Sequence, residues 1–241
     1  MSGKSLAGRR ALVTGASRGI GAATVRALAE AGALVAGTAR TVGQLDTVMR
    51  QLGRGHAIIA ADIATDAGLA SIIEGFHAWS GGASPDILVN NAGVFPRAAL
   101  HTEQDDSFAR TLAVNLSAPF KLVSALLGGM RTRGSGDIVT VGSVADRNAF
   151  AENAAYSASK YGMRAVHEVL RAETHGTGVR AILVSPGPVD TDIWSPHEQS
   201  LGAGLPPRRA MLRADDVARA ITFAVEQPPH VDIEELRLAR S

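Results

Sequence analysis

The distribution of hydrophobic residues along the chain predicts short strands that alternate with helices. Apolar runs of a few residues predict strands, and apolar residues spaced three or four positions apart predict helices. The predicted strands span residues 10–13, 33–38, 56–61, 86–89, 137–141, 179–184 and, as a short last strand, about 231–238. The predicted helices span residues 22 to about 32, 45–52, 69–79, 105–130, 156–174 and 215–226. This alternation predicts an α/β fold, a doubly wound parallel sheet with helices on both faces, in a single domain over residues 1–241.

The first strand runs directly into a glycine-rich turn, residues 14–21, that precedes the first helix. The strand, turn, helix and next strand form a βαβ unit. Backbone without side chains can approach a pyrophosphate, and the helix N-terminus offers it free N–H groups. The glycines follow the pattern G-x-x-x-G-x-G rather than G-x-G-x-x-G. A tight turn that binds nothing is the alternative, which the flanking strand and helix disfavour.

Polar residues follow most of the predicted strands at their C-terminal ends. Ligands of doubly wound folds bind at that edge of the sheet. The polar residues concerned are Ser17, Arg18, Arg40, Asp62, Asn90, Ser143 and Thr191. Their shared location predicts one ligand site along this edge.

Tyr156 and Lys160 lie four residues apart on a predicted helix and therefore on one face of it. The chain has 24 lysines and arginines, and only three of them are lysines, so lysine at position 160 is notable. A nearby ammonium is expected to lower the pKa of a tyrosine from about 10. Such a phenol exchanges a proton with a substrate oxygen near neutral pH. The alternative is that the two residues only share a solvated helix face. The rest of the chain decides between these two interpretations.

Composition narrows the possible functions. The net charge of +1 argues against an electrostatic nucleic-acid binder. The chain has no cysteine, which excludes disulfides and thiol catalysis, and its seven histidines are scattered, so we expect no metal site. The first residues lack an apolar signal core, and no uninterrupted apolar run is long enough to span a membrane. We therefore expect a cytoplasmic protein without membrane or nucleic-acid partners.

Several short motifs occur in a characteristic order along the chain. They are TGASRGIG at 14–21, NNAG at 90–93, Asn115, Ser143, Tyr156 with Lys160, and PGPVDT at 186–191. Together they resemble the short-chain dehydrogenase/reductase family over essentially the whole chain. The resemblance implies a single Rossmann-type domain that binds a nicotinamide dinucleotide. It further implies hydride transfer to or from a carbonyl or alcohol carbon, usually in a homodimer or homotetramer.

The resemblance also assigns roles to individual residues. Tyr156 would be the general acid/base, and Lys160 would lower its pKa and bind the nicotinamide ribose. Ser143 would bind the substrate oxygen, and Asn115 would hold a water linked to Lys160. The implied cofactor-binding residues are Gly15, Ser17, Arg18, Gly19, Ile20, Gly21, Thr38, Arg40, Asp62, Ile63, Asn90, Ala92, Gly93, Val114, Tyr156, Lys160, Pro186, Gly187, Val189 and Thr191. The substrate-pocket candidates by position are Phe95, Ser143, Val144, Phe150, Ile193 and Trp194, beneath a short lid at about 192–213.

Two of these assignments have a structural alternative. Asp62 could cap the following helix instead of contacting adenine, and Asn90 and Asn91 could form only a structural turn that joins strands. A separate hypothesis concerns Pro119, which has no N–H to donate to the carbonyl of Asn115 four residues earlier. In a regular helix that carbonyl would be free to hold the relay water.

The end of the second strand predicts a preference for NADP(H) over NAD(H). NAD-selective sites place an acid there, whereas this chain has Ala39 followed by Arg40, with Arg18 in the glycine turn. Guanidinium groups bind phosphate with two parallel donors. The sequence therefore predicts an NADPH-dependent reductase of a small ketone or aldehyde. The alternatives are an alcohol or hydroxy-acid dehydrogenase that works in the oxidative direction, and a non-catalytic dinucleotide-binding regulator.

Overall fold

The centre of the computed structural model, which describes residues 4–202 and 205–241, is a seven-stranded parallel sheet. Its strands are β1 (Arg10–Thr14), β2 (Leu34–Ala39), β3 (Ala57–Ala60), β4 (Ile87–Asn90), β5 (Gly136–Val141), β6 (Val179–Pro186) and β9 (Glu235–Leu238). Between β6 and β9 along the chain, β7 (Val189–Asp190) and β8 (Leu212–Arg213) form a separate short pair. The sheet order is β3-β2-β1-β4-β5-β6-β9. All six neighbouring pairs are parallel, including β6 with β9. The predicted α/β class and parallel sheet are confirmed.

Seven α-helices connect the strands. They are α1 (Gly19–Glu30), α2 (Val42–Arg50), α3 (Asp66–Ser80), α4 (Asp105–Leu112), α5 (Ala118–Arg133), α6 (Ala154–Thr174) and α7 (Ala214–Val225). Each strand sends alternate side chains to opposite faces of the sheet. In β1, Ala11 and Val13 enter a core with α1, α2 and α7. Leu12 enters a second core with α3, α5 and α6. This division gives the two helical layers of a doubly wound fold.

The predicted continuous helix over residues 105–130 is divided in the structure. A π-helical turn, Ala113–Ser117, separates α4 from α5. The amide of Ala118 therefore bonds the carbonyl of Ala113, five residues earlier. Pro119 lies buried in the first turn of α5, where proline is tolerated. The regular helix that the Pro119 hypothesis requires is absent, because the π turn has already changed the bonding pattern around Asn115.

One helical segment, Asp105–Arg133, has the length and composition of a membrane span, with a mean hydropathy of 1.3. This is weak evidence, because core helices of soluble proteins meet the same criteria. Within that segment Leu122, Leu126 and Met130 pack into the second core against the sheet. The expected cytoplasmic location stays a prediction.

The predicted lid over residues 192–213 contains short elements instead of one regular helix. A 3-10 helical segment, Asp192–Ser200, is followed by the turn Arg208–Ala210 and by β8. Residues 203–204 of that prediction lie outside the described part of the chain. Arg208 joins two parts of the segment, since it bonds the Glu198 carboxylate at 2.6 Å and Asp190 at 2.6 Å.

Candidate active site

A cavity of about 600 Å³ lies along the C-terminal ends of the parallel strands. Most predicted site residues line it. Those lining residues are Gly15, Ser17, Arg18, Gly19, Ile20, Thr38, Arg40, Asp62, Ile63, Ala92, Gly93, Val114, Ser143, Tyr156, Lys160, Pro186, Gly187, Val189 and Thr191, with all the pocket candidates Phe95, Val144, Phe150, Ile193 and Trp194. The fold therefore brings motifs from six strand ends to one site.

Three predicted residues, Gly21, Asn90 and Asn115, do not line this cavity. A Cβ at Gly21 would stand 2.1 Å from the Gly15 carbonyl oxygen, so glycine there allows α1 to approach the turn. Asn90 is buried and lines a smaller second cavity together with Asn115 and Lys160. Neither side-chain polar atom of Asn90 has a hydrogen-bond partner.

Asn91, for which a purely structural role was the alternative, holds the glycine turn in place. Its amide Nδ2 donates to the carbonyl of Thr14 at 2.8 Å and to that of Gly15 at 3.3 Å. Gly15 has φ +68°, and an added Cβ would lie 2.9 Å from the Ala92 Cα. The turn therefore needs glycine both for its left-handed conformation and for its close contact with the 90–93 segment.

The start of α1 fits an anionic group. The helix begins at Gly19, no side chain caps its first N–H groups, and its first turn contains no acid. Such an end carries unpaired N–H donors and partial positive charge. Gly19 and Ser17 line the cavity at this point. The donor set matches the pyrophosphate of a dinucleotide.

The far end of the cavity is rich in positive charge. Arg18 and Arg40 are exposed there, and Arg110 on α4 donates to the Asp62 carboxylate at 3.2 Å. Partial burial raises the pKa of Asp62, but the Ala64 amide, Arg110 and Arg40 outweigh that effect and the pKa is lowered. Thr65, not Asp62, caps α3 by accepting from Gly68. The capping alternative for Asp62 is therefore wrong.

Ser143 follows β5 in an extended conformation, with φ −169° and ψ 158°. Its Oγ accepts the backbone N–H of Ala145 at 3.1 Å. A hydroxyl that accepts one bond keeps its own proton to donate. Ser143 is therefore arranged to donate to an oxygen in the cavity.

Tyr156 and Lys160 meet through the aromatic ring. The Lys160 Nζ lies 5.6 Å from the Tyr156 ring centroid and donates to the Val141 carbonyl at 2.8 Å. Burial lowers the pKa of Lys160 to about 8. Burial also raises the pKa of Tyr156, Ser143 opposes the rise, and the charge of Asp146 adds to it. The Tyr156 pKa is therefore raised, not lowered as the sequence predicted, because desolvation of the phenol outweighs the hydrogen bond with Ser143.

Asn115 lies in the π-helical turn and is 3% exposed. Its Oδ1 accepts from the Val94 amide at 2.9 Å, and its Nδ2 donates to the Val94 carbonyl and to the Ser159 hydroxyl, both at 3.0 Å. The side chain therefore joins the segment after β4 to α6. With its side chain engaged in this way, any water that Asn115 holds must use its backbone.

Comparison with known proteins gives the family. Residues 9–201 match the short chain dehydrogenase family. The chain belongs to this family. It is 32% identical over 238 residues to 3-oxoacyl-[acyl-carrier-protein] reductase FabG of Salmonella typhimurium, with 97% of both chains covered. It is 36% identical to glycine betaine reductase ATRR of Emericella nidulans, but spans only 18% of that protein's length.

Solved structures agree with this assignment. A metagenomic short-chain oxidoreductase in complex with NADP superposes with a TM-score of 0.83 at 34% identity, over 98% of this chain and 99% of the other. This short-chain dehydrogenase is therefore an NAD(P)-dependent oxidoreductase, and its cofactor is a nicotinamide dinucleotide. The uncapped α1 terminus and the glycine turn are the residues that fit such a cofactor.

The inner wall of the short-chain dehydrogenase cavity is aromatic. The Phe95 ring contacts Tyr156, Trp194 and His197 edge to face, with centroids 4.8, 5.2 and 5.4 Å apart. The Trp194 indole donates to the Val189 carbonyl at 2.9 Å. His197 on the 3-10 segment bonds the Phe95 carbonyl at 3.0 Å. The 3-10 segment Asp192–Ser200 therefore packs on the chain that follows β4, next to Tyr156.

Sequence reasoning missed several residues that line the cavity. Arg97, Arg110 and Asn153 also reach the cavity. Arg110 could have been found from its position on the helix that ends near Asn115, but nothing local distinguishes Arg97. Arg97 pairs with Glu152 at 2.7 Å.

Proposed function

We propose that this short-chain dehydrogenase reduces a ketone or aldehyde to the alcohol, with NADPH as the donor and Tyr156 as the proton source. The observation that carries the proposal is the single cavity shared by the glycine turn, Ser143, Tyr156 and Lys160. The assignment of the whole chain to one domain, with a lid over part of residues 192–213, belongs to the same proposal.

In this reaction the protein provides position and a proton. The bound nicotinamide supplies the hydride. Ser143 donates a hydrogen bond to the carbonyl oxygen, where negative charge develops. Tyr156 transfers its phenolic proton to that oxygen, and the Lys160 ammonium stabilises the phenolate that remains. Because Tyr156 contributes this proton, removal of the Tyr156 hydroxyl should stop turnover and leave cofactor binding nearly intact.

The reductive direction is supported by the state of Tyr156. Its raised pKa keeps the phenol protonated at neutral pH, and a protonated phenol is the form that donates a proton. A vestigial regulator is disfavoured by the joint presence of the three side chains in one cavity.

The aromatic wall around Phe95 favours a substrate with an apolar or aromatic group beside its carbonyl. Phe95, Trp194 and Phe150 line that part of the cavity. Phe150 is 50% exposed, so it contributes an apolar rim that a substrate would cover. We propose an apolar small molecule as the substrate class.

The preference for NADPH is supported by Arg18 and Arg40, which are exposed at the adenosine end of the cavity. Neither β2 nor the glycine turn places an acid there. A 2′-phosphate would gain charge-assisted bonds from both guanidinium groups.

We further propose a homodimer or homotetramer. Phe108, Phe120, Tyr161 and Val169 on α4, α5 and α6 are 37–57% exposed. On the same helix α6, Met163 and Leu170 are buried and belong to the core, whereas Val169 is exposed and available for a contact between subunits. A monomeric mass by light scattering at working concentration would contradict an oligomer.

The direct test is NADPH consumption with a panel of ketones and aldehydes, repeated with Tyr156→Phe. We expect turnover of apolar aryl or alkyl ketones by the native protein. Tyr156→Phe should lose nearly all turnover, by about 100-fold or more, and keep NADPH affinity within about twofold. Tyr161→Phe, a change on the same helix, is the matched control. A Tyr156→Phe enzyme with most of its activity would disprove the assigned role.

A further inference from the structure

Behind Ser143 lies a buried carboxylate for which the reaction has no role so far. Asp146 is 1% exposed and ends the 3-10 turn Val144–Asp146 that follows Ser143. Its Oδ2 accepts the Ser143 backbone N–H at 3.2 Å and the Ser185 hydroxyl at 2.5 Å. Ser185 is in β6, one residue before Pro186. One oxygen atom therefore joins the Ser143 loop to the strand that leads into the 186–191 segment.

The backbone around this carboxylate leaves no spare space. A Cβ added at Gly142 would stand 2.5 Å from the Ser185 Oγ and 2.6 Å from the Asp146 Oδ2. Real Cβ atoms essentially never approach so closely. Glycine at position 142 therefore lets the chain pass directly over the Asp146–Ser185 contact on its way to Ser143.

The other oxygen of Asp146 connects to more distant elements. Its Oδ1 accepts from the Arg147 Nε at 2.8 Å and lies 3.7 Å from an Arg164 nitrogen on α6. Arg147 also pairs with Glu235 on β9, and Arg164 lies 3.6 Å from Glu235. We call these four residues, Asp146, Arg147, Arg164 and Glu235, the Asp146 network. It extends from the Ser143 loop across α6, which carries Tyr156 and Lys160, to the last strand.

We propose that Asp146 is a positioning residue for Ser143, and that Arg147 and Glu235 connect this placement to the C-terminal strand. The inference rests on the carbonyl reduction proposed above. A buried carboxylate is costly unless it is paired, and here three hydrogen-bond donors and the nearby charge of Arg164 hold it in one place. A serine displaced by about 1 Å costs about 100-fold in rate. The network thus makes the final strand a part of the active-site support.

Asp146 also acts on the proton-transfer pair by its charge. The charge of Asp146 raises the pKa of Tyr156, in the same direction as the larger effect of burial. It also raises the pKa of Lys160, but burial lowers that pKa by more. The charged groups that face Asp146 are Arg147 on its own turn, Arg164 on α6 and, through them, Glu235 on β9. Removal of the Asp146 charge should therefore move the Tyr156 titration to lower pH.

The kinetic test compares Asp146→Asn, Glu235→Gln and the control Glu234→Gln. Asn keeps the size of the side chain and removes its charge. We expect kcat to fall about tenfold or more for Asp146→Asn, or about 1.4 kcal/mol in the barrier, with NADPH affinity within about twofold. Glu235→Gln, at the partly exposed end of the network, should lower kcat about threefold or more. Glu234→Gln, whose partner is Arg171, should match the wild type. Wild-type kcat in both network variants would overturn the proposal.

A second test needs no substrate. Tyr156 and Tyr161 are the only tyrosines, so in a Tyr161→Phe background one ¹³C-labelled tyrosine resonance reports Tyr156. We expect Asp146→Asn to shift its titration to lower pH in the ligand-free protein, and Glu234→Gln to leave it unchanged. Identical titration curves with and without the Asp146 carboxylate would overturn the inference. A shifted curve in a protein that reduces no carbonyl would support the placement of Asp146 and reject the proposed reaction.

Discussion

The preference for NADPH is the prediction that the structure makes most directly testable. Arg40 follows β2, and Arg18 lies in the turn before α1, and both are exposed at the same end of the cavity. We predict that Arg40→Asp weakens the use of NADPH selectively. The substitution removes a donor to the 2′-phosphate and places there an acid that repels the phosphate and accepts bonds from a free ribose hydroxyl.

The magnitude follows from one charge-assisted contact. A hydrogen bond to a charged group contributes roughly 1.5–3 kcal/mol, and about 1.4 kcal/mol is a tenfold change. One contact from Arg40 therefore gives a preference of about 10- to 100-fold. Because Arg40 is exposed, salt screens the contact, and we expect the lower end of that range at physiological ionic strength.

The assay is kcat/KM with NADPH and with NADH on one carbonyl substrate at low and at high salt. Arg40→Asp should lower the NADPH value about 10- to 100-fold and bring the two cofactors near parity. Arg54→Asp is the control, because Arg54 is also exposed, lies outside the cavity and changes the net charge equally. Equal efficiency of the native enzyme with both cofactors, or an unchanged ratio in Arg40→Asp, would refute the reasoning.

Three further predictions follow from buried charges. Lys160→Arg should reduce turnover about 100-fold or more, because a planar fork does not fit where Nζ donates to Val141, and near-normal steady-state turnover would contradict this. The Lys160 pKa of about 8 lies below its unfolded value, so the unfolded chain binds more protons than the native protein above pH 8. Stability should therefore rise with pH from about 8 to 10, by at most about 1.4 kcal/mol per pH unit. Thermal melts that give the native protein and Lys160→Met the same dependence of stability on pH would be inconsistent with that burial. Asp137→Asn should lower the free energy of unfolding by about 3–5 kcal/mol, because Asp137 is 1% exposed between Arg9 and Arg180. Urea unfolding measures this loss against that of Asp46→Asn, whose partner Arg50 is exposed. A loss no larger than that of the control would argue against the prediction.

The sequence determined the layered architecture and the location of the site. Apolar runs and helical spacing are local properties, so they predict strands, helices and their alternation without knowledge of contacts. Alternation in turn brings the C-terminal ends of parallel strands to one edge. This is why Ser143, Thr191 and the glycine turn could be assigned to one site before any distance was known.

Some details needed the direction of each side chain. Asn90 and Asn91 are adjacent, and period-two geometry turns them to different surroundings. Only the packing of β4 shows that Asn91 holds the turn while Asn90 is buried behind it. The π-helical turn at Asn115 likewise depends on partners outside its own helix, Val94 and Ser159.

The electrostatics of the site were decided by tertiary structure alone. The spacing of Tyr156 and Lys160 predicts that they meet, but the direction of a pKa shift depends on how much water the surrounding chain removes. Here the burial that raises the Tyr156 pKa outweighs the effects that lower it. The contacts of Asp146 could not be predicted from the sequence either, because its partner Ser185 is on β6. Glu235, which it reaches through Arg147, is on β9. Periodicity reports which residues are buried, whereas the pairing of buried charges depends on contacts between residues that are distant in the chain.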